Sequence, residues 1–168
     1  VAIGIDDTDT GTEGATFALA LALLQHLANL EGVMPIGHRV AMLNPRLENP
    51  TAGNSCSYIE LAVEPGQVPR VEEAAVRFVA DEAASPEWGV AVRQGFRVPR
   101  DLRAYGRSVR ESVVTRDAAD ATAERFGARL YGGRGAIGAL AAVALVGLPH
   151  DVLLDPKRDV YIGWEPEG

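Results

Sequence analysis

The sequence predicts an α+β fold in which layers of helices pack on strands. Of its 168 residues, 47% are hydrophobic, which is enough to bury a core. Short apolar segments of strand character alternate along the chain with longer segments of helical spacing. Connections of varying length join these segments, and such alternation is typical of layered folds that contain both kinds of element.

The first half of the chain contains three predicted strands and two predicted helices. Residues 1–5 form a short apolar strand that runs directly into acidic residues. Residues 16–30 have the length and the Ala/Leu content of a helix that is apolar nearly all round, so we expect it to be buried. Strands follow at 37–43 and 57–63, and an amphipathic helix begins at Pro69.

The second half of the chain continues the alternation. We predict a strand at 88–92, helices at 99–112 and 117–126, a strand at 128–131, a helix at 139–146 and a final edge strand at 160–164. Asp117 is the predicted N-cap of the helix at 117–126. A glycine-rich turn at residues 132–138 leads into the helix at 139–146.

Composition and charge narrow the class of protein. The net charge is −7, whereas a chain that grips nucleic acid by itself usually has a basic excess. Cys56 is the only cysteine, which excludes an internal disulfide framework and a cysteine-rich zinc ribbon. No run of about 18 apolar residues predicts a membrane span. No signal peptide is visible, so a cytoplasmic location is the expectation.

Most of the basic residues are arginines, and many of them cluster in the middle of the chain. The cluster consists of Arg93, Arg97, Arg100, Arg103, Arg107, Arg110 and Arg116. Guanidinium groups suit bidentate contacts with phosphate or carboxylate. We nevertheless expect this cluster to form a solvated helical face, which is the usual role of a charge run.

Three carboxylates follow the first predicted strand within four positions. Asp6, Asp7 and Asp9 repel one another unless a cation neutralises them. Hard oxygen ligands at this density suit Mg²⁺, which holds nucleotide phosphates through one or two carboxylates and water. The sequence therefore predicts a metal site here that serves ATP. The alternative is a solvated turn in which Asp9 caps the following helix.

The same acidic segment also fits a second chemistry. Residues 7–10 spell the pattern of an aspartyl-phosphate phosphatase, in which Asp7 would be the nucleophile and Asp9 the general acid/base. That scheme needs a later lysine followed by an acidic pair. Lys157 instead comes after Asp151 and Asp155, so the phosphatase hypothesis ranks second.

Two further segments carry candidate nucleotide contacts. The loop between the predicted strands at 37–43 and 57–63 contains side chains that bind phosphate or sugar oxygens, and a glycine that permits close backbone approach; these residues are Asn44, Thr51, Gly53 and Asn54. Gly133, Arg134 and Gly135 lie in the glycine-rich turn. Backbone N–H groups at a helix start bind anions, and Arg134 adds a guanidinium.

These motifs, in this order, resemble the catalytic part of the archaeal agmatidine synthetase family, which modifies the anticodon cytidine of an isoleucine tRNA. The matching stretches are Ile3-Gly4-Ile5-Asp6-Asp7-Thr8-Asp9, Leu43-Asn44-Pro45 with Thr51, Gly53 and Asn54, and Gly133-Arg134-Gly135-Ala136-Ile137-Gly138-Ala139-Leu140-Ala141-Ala142. The resemblance covers roughly residues 1–146. It implies a small kinase-like domain at 1–66 and a ferredoxin-like domain at 67–168, packed as one unit.

The resemblance also implies roles for individual residues. In that family ATP phosphorylates the cytidine oxygen and agmatine then displaces the phosphate. By analogy, Asp6, Asp7 and Asp9 would hold Mg²⁺ around the triphosphate. The family has a Thr-Thr pair before its first helix, one member of which is phosphorylated. Thr16 matches the first position and is a candidate phosphoryl carrier, but Phe17 stands at the second.

The departures from the family define the expected partners. The family continues into an oligonucleotide-binding barrel and a zinc ribbon that grip tRNA, whereas this sequence ends at Gly168. We therefore expect a Mg²⁺-dependent, ATP-using transferase or ligase whose acceptor is a small molecule or an RNA presented by a partner. Direct tRNA binding and a homodimer are further options. The competing hypotheses are the phosphatase that uses Asp7 and Asp9, and a non-catalytic nucleotide-binding module.

Overall fold

The computed structural model of the chain describes residues 1–8, 15–43, 55–95 and 97–161. These residues form one α+β domain, which confirms the predicted class. In chain order its elements are β1 (Ala2–Asp6), α1 (Thr16–Ala28), β2 (Val33–Met42), β3 (Ser55–Val63), α2 (Val68–Glu82), β4 (Gly89–Arg93), α3 (Arg100–Glu111), α4 (Arg116–Phe126), β5 (Arg129–Gly132), α5 (Gly135–Ala144) and α6 (His150–Leu154). No helix in the described ranges is long and apolar enough to cross a membrane.

The described strands form a single five-stranded sheet in the order β2-β3-β1-β4-β5, and every pairing is antiparallel. β1 lies at the centre, where Ile3 is opposite Ile59 of β3 on one side and Val92 of β4 on the other. The strand at the centre is therefore paired along both edges, which fixes the position of its carboxyl end.

The first six elements follow the β-α-β-β-α-β order of a ferredoxin-like unit. This unit spans residues 2–93, so it crosses the predicted boundary at residue 66 instead of lying within residues 67–168. The segments 1–66 and 67–168 contribute strands to the same sheet. A division of these two segments into domains of separate function stays a prediction.

The two faces of the sheet carry separate cores. On one face, Ile3 and Ile5 of β1 pack with α1 and α2 in a cluster that includes Leu23 and Val79. On the other face, Ala2 belongs to a second cluster that contains most of α5 together with residues of α3 and α6. The alternation of side chains along β1 thus feeds both cores, and the sheet is covered by helices on both sides.

Helix α5 packs backbone to backbone against the centre of the sheet. A Cβ atom built on Gly4 of β1 would lie 2.0 Å from the carbonyl oxygen of Ala139, and one built on Gly89 of β4 would lie 1.9 Å from the nitrogen of Ala136. Only glycine admits such an approach. Every residue of α5 except Ile137 is buried, so this helix is the centre of its core.

Several predictions about the helices are wrong in detail. α5 begins at Gly135, not Ala139, so most of the predicted turn is its first helical turn. The N-cap of α4 is Thr115, whose hydroxyl accepts the N–H of Ala118, and not Asp117. The short helix α6 has no counterpart among the predicted elements.

Two further predictions fail on burial and on strand structure. Helix α1 is not buried all round, because Phe17 is 54% and Leu21 is 45% exposed. The predicted edge strand at 160–164 is absent at Val160 and Tyr161, which form a turn, and the rest of it lies outside the described residues.

The arginine cluster is only in part the solvated face that its charge suggests. Arg103 and Arg110 of α3 are buried, with 8% and 3% of their surface exposed. Arg103 donates from Nη1 to the carbonyl oxygens of Ala144 and Val146, both at 2.9 Å, where α5 ends. Burial lowers the pKa of both guanidiniums. These side chains satisfy backbone carbonyls that would otherwise be buried without donors.

Arg110 joins three segments of the chain in the same way. Its Nε donates to the carbonyl of Met42 at 3.0 Å and its Nη2 to that of Leu153 at 2.6 Å. Its Nη1 donates to the carbonyl of Asp155 at 3.4 Å. The end of β2 and the end of α6 are therefore both held by one guanidinium.

We predict that Arg110→Met lowers the free energy of unfolding by about 2–4 kcal/mol, because it strands buried carbonyl groups. The matched control is Arg107→Met, because Arg107 lies one turn earlier in α3 and forms only an exposed pair with Glu111. The control should change the free energy by at most about 0.5 kcal/mol. Urea unfolding followed by circular dichroism measures both, and equal effects would contradict the structural role of Arg110.

Candidate functional site

The candidate site lies where β1 ends against the start of α5. Asp6 is the last residue of β1 and is paired with Gly89 of β4. Asp7 follows with a φ of 55°, a left-handed conformation that is uncommon for residues other than glycine. The chain turns sharply here, so the two adjacent carboxylates leave the sheet in different directions.

The Asp6 carboxylate is held against the first turns of α5. Its Oδ1 accepts the N–H of Asp7 at 2.7 Å. A Cβ atom built on Gly138 would lie 1.8 Å from Oδ2 of Asp6, so the carboxylate occupies the space that any larger residue would fill. Gly138 is therefore a site residue by shape, and its effect is to bring a carboxylate onto the N-terminal part of a helix.

The Asp7 carboxylate points to the glycine-rich segment. Its Oδ2 lies 3.3 Å from Nη2 of Arg134, the residue that directly precedes α5. The Asp7 side chain is 23% exposed and the Arg134 side chain is 62% exposed. The structure thus brings together three predicted site residues, Asp6, Asp7 and Arg134, across 127 positions of sequence.

The backbone of the glycine-rich segment is engaged within the protein. The N–H of Gly133 donates to the carbonyl of Trp88 and the N–H of Gly135 donates to the carbonyl of Glu87, both at 2.8 Å. The N–H of Arg134 donates to Oε2 of Glu87 at 3.0 Å. A role for Gly133 and Gly135 in phosphate binding stays a prediction, and the group directed outward is the Arg134 side chain.

Glu87 and Arg116 are site residues that the sequence alone does not indicate. Glu87 accepts from two successive N–H groups at the start of α5, through its carbonyl and its carboxylate. Arg116 donates from Nη1 to the carbonyls of Gly132 and Gly133, at 3.0 and 2.8 Å. Both residues fix the segment that carries Arg134. No local motif signals them, because strand pairing is what brings them to this position.

Thr16 lies at the first position of α1 and is buried, with 4% of its surface exposed. The hydroxyl of Thr8 donates to Oγ1 of Thr16 at 3.0 Å, which links the acidic segment to α1. The carbonyl of Thr8 accepts the N–H groups of Ala84 and Ser85 beyond α2. A phosphoryl carrier must expose its hydroxyl, so that role for Thr16 stays a prediction.

The remaining predicted site residues lie outside the described part of the chain. They are Asp9, Asn44, Thr51, Gly53 and Asn54. Asn44 is separated by one residue from the end of β2, which Arg110 holds through Met42. The roles predicted for these five residues therefore remain predictions.

The donor set at the end of β1 fits a hard divalent cation. Asp6 and Asp7 supply carboxylate oxygens, which Mg²⁺ prefers and combines with water and phosphate oxygens. Within the described ranges, no group of three or more His, Cys, Asp or Glu side chains is arranged to hold a metal. A site of two carboxylates completed by water and a nucleotide is compatible with this arrangement.

A second concave region lies elsewhere and does not contain the predicted site residues. A cavity of about 720 Å³ lies between α2 and β5 and is lined by Glu72, Arg129 and Tyr131 among others. Arg129 donates to Oε1 of Glu72 at 2.5 Å, and the hydroxyl of Tyr131 donates to Oε2. Both oxygens of this carboxylate are thus engaged, so we assign the chemistry to the end of β1.

No protein-family profile matches the chain. The tRNA 2-agmatinylcytidine synthetase TiaS of Pyrobaculum neutrophilum, an enzyme specific for an isoleucine tRNA, is 33% identical over 148 residues, which cover 85% of this chain and 34% of that protein. The uncharacterized protein MJ0921 of Methanocaldococcus jannaschii is 29% identical over 160 residues, which cover 94% of this chain and 52% of that protein. Both relatives are longer than this sequence.

A solved structure gives the same result. The crystal structure of TiaS in complex with its isoleucine tRNA and ATP superposes with a TM-score of 0.74 at 26% identity, covering 85% of this chain and 35% of that chain. The sequence thus spans about a third of the length of TiaS. Over about 85% of its length, the chain is homologous to this ATP-using enzyme.

Proposed function

We propose that the chain is the catalytic core of a Mg²⁺-dependent enzyme that uses ATP to transfer a phosphoryl group to an acceptor. The observation that carries the proposal is the meeting of Asp6, Asp7 and Arg134 between the end of β1 and the start of α5. The homology to TiaS, a solved complex of which contains ATP, supports the same assignment.

The charges at the site suit a polyphosphate that arrives with its metal. Phosphoryl transfer depends mainly on positioning and on neutralising charge that develops on the phosphate oxygens. Mg²⁺ would neutralise the triphosphate between the two carboxylates, and Arg134 would contact phosphate oxygens with its guanidinium. Asp9 is a third candidate ligand. Asn44, Thr51, Gly53 and Asn54 are proposed to contact the nucleotide or the acceptor.

The acceptor is proposed only by class. The name of TiaS describes a cytidine of an isoleucine tRNA that receives agmatine. This chain carries a net charge of −7, which weakens any binding of tRNA by the chain alone. We propose a small molecule, or an RNA that a partner presents, as the acceptor. Thr16 is the proposed carrier if the phosphoryl group passes through the protein.

We predict that ATP is consumed by the wild-type protein with Mg²⁺, and that Asp7→Asn lowers the rate at least a hundredfold. Phosphorus NMR of the mixture measures the loss of ATP, with candidate nucleoside and amine acceptors added in turn. The products also identify the cleaved bond, since ADP and AMP give different spectra. Asp101→Asn is the matched control, because Asp101 is an exposed acid of α3 that pairs with Arg125.

The contrary outcomes separate the rival functions. Hydrolysis of simple phosphate esters without ATP, with a phosphate mimic trapped on Asp7, would favour the phosphatase. Tight binding of Mg²⁺·ATP without consumption under any acceptor would favour a nucleotide-binding module. Absence of ATP binding by calorimetry would contradict the proposed function altogether.

A second prediction concerns the seat of the Asp6 carboxylate. Gly138→Ala introduces a methyl group where Oδ2 of Asp6 lies, so the carboxylate must move. We expect at least a tenfold loss of Mg²⁺·ATP affinity by calorimetry, together with a loss of about 1–3 kcal/mol of stability. Gly66→Ala is the control, since a Cβ atom there meets nothing within 4 Å.

Asp6→Asn keeps this prediction testable if Gly138→Ala fails to fold. It removes the charge of the same carboxylate without adding volume beside α5, and should reproduce the loss of affinity. Wild-type affinity in a folded Gly138→Ala variant, or in Asp6→Asn, would exclude Asp6 from the site.

A further inference from the structure

We propose that Asp7 is shared between Arg134 and the metal, so that metal binding releases the Arg134 guanidinium to the phosphate. This inference rests on the proposed function and adds a coupling between the two halves of its site. Its starting point is the ion pair between Asp7 Oδ2 and Arg134 Nη2, at 3.3 Å. The predicted metal ligand and the predicted phosphate ligand thus contact one another.

The two adjacent carboxylates differ in how firmly they are held. Asp6 accepts the N–H of Asp7 and lies in the space beside Gly138, so it has little room to move. Asp7 contacts Arg134 from a left-handed turn, through a pair whose 3.3 Å separation exceeds the usual distance of a charge-assisted hydrogen bond. Asp6 is therefore the fixed ligand, and Asp7 is the ligand that exchanges partners.

The Arg134 side chain can turn away without disturbing α5. Its backbone N–H is held by the Glu87 carboxylate, and the next N–H, of Gly135, is held by the Glu87 carbonyl. Its guanidinium is in a side chain that is 62% exposed. Glu87 is thus a positioning residue, which keeps the start of α5 in place while the guanidinium exchanges Asp7 for phosphate.

Charge gives the exchange its direction. Asp6, Asp7 and Arg134 together carry one net negative charge, which repels a polyphosphate that arrives without metal. A bound Mg²⁺ changes that sum to one net positive charge and satisfies Asp7. Each event then favours the other, and the coupling is reciprocal by linkage.

The test uses Mg²⁺ alone, without nucleotide, so it is independent of turnover. We expect Arg134→Gln to bind Mg²⁺ about two- to fivefold more tightly than wild type, the range that an exposed ion pair contributes. Titration followed by the amide NMR signal of Asp7 measures the affinity. Arg77→Gln is the matched control, because it breaks an exposed pair with Glu73 and removes the same charge.

A spectroscopic signature separates partner exchange from a general effect of charge. In the wild type, Mg²⁺ alone should shift the guanidinium NMR signal of Arg134, and in Asp7→Asn it should not. The proposal is overturned if the Arg134 signal ignores Mg²⁺, if Asp7 fails to respond to Mg²⁺, or if Arg134→Gln binds Mg²⁺ no better than wild type. Mg²⁺·ATP binding that persists under those results would leave the proposed function standing.

Discussion

The close approach of α5 to the centre of the sheet is the constraint on which the rest of the structure depends. Gly4 and Gly89 let the helix backbone touch β1 and β4, and Gly138 leaves space for the Asp6 carboxylate. Because β1 is paired on both edges, its carboxyl end cannot drift away from the start of α5. The packing that forms one core therefore also sets the distance between the acidic residues and Arg134.

Buried arginines extend the same principle to the periphery of α5. Arg103 satisfies carbonyls at the end of the helix, and Arg110 satisfies those that end β2 and α6. Such groups favour one arrangement of backbone, because a displaced carbonyl would lose its donor in a dry environment. At the other end of α5, Glu87 accepts N–H groups and Arg116 donates to carbonyls. Charged side chains thus fix both ends of a helix that itself carries no charge.

The sequence predicted the elements better than their contacts. Apolar spacing located the strands and most helices, and the acids after β1 indicated a site that now includes Arg134. The start of α5 was placed four residues late, because glycines that signal a turn in isolation here allow close packing, which outweighs their low helix propensity. Glu87 and Gly138 could not be found, because strand pairing creates their contacts. Arg103 and Arg110 were detectable, since they lie seven residues apart beside the buried Leu102 and Val109 of α3.

The measurement that tests the central claim most directly is paramagnetic broadening of amide NMR signals by Mn²⁺ in the presence of ATP. If the end of β1 and the start of α5 form one metal–nucleotide site, the signals of Asp6, Asp7, Arg134 and Gly138 should broaden first, at Mn²⁺ concentrations far below those of the protein. Signals around the cavity between α2 and β5, such as those of Glu72 and Tyr131, should stay sharp. Broadening that begins in that cavity, or none at all with ATP present, would contradict the account.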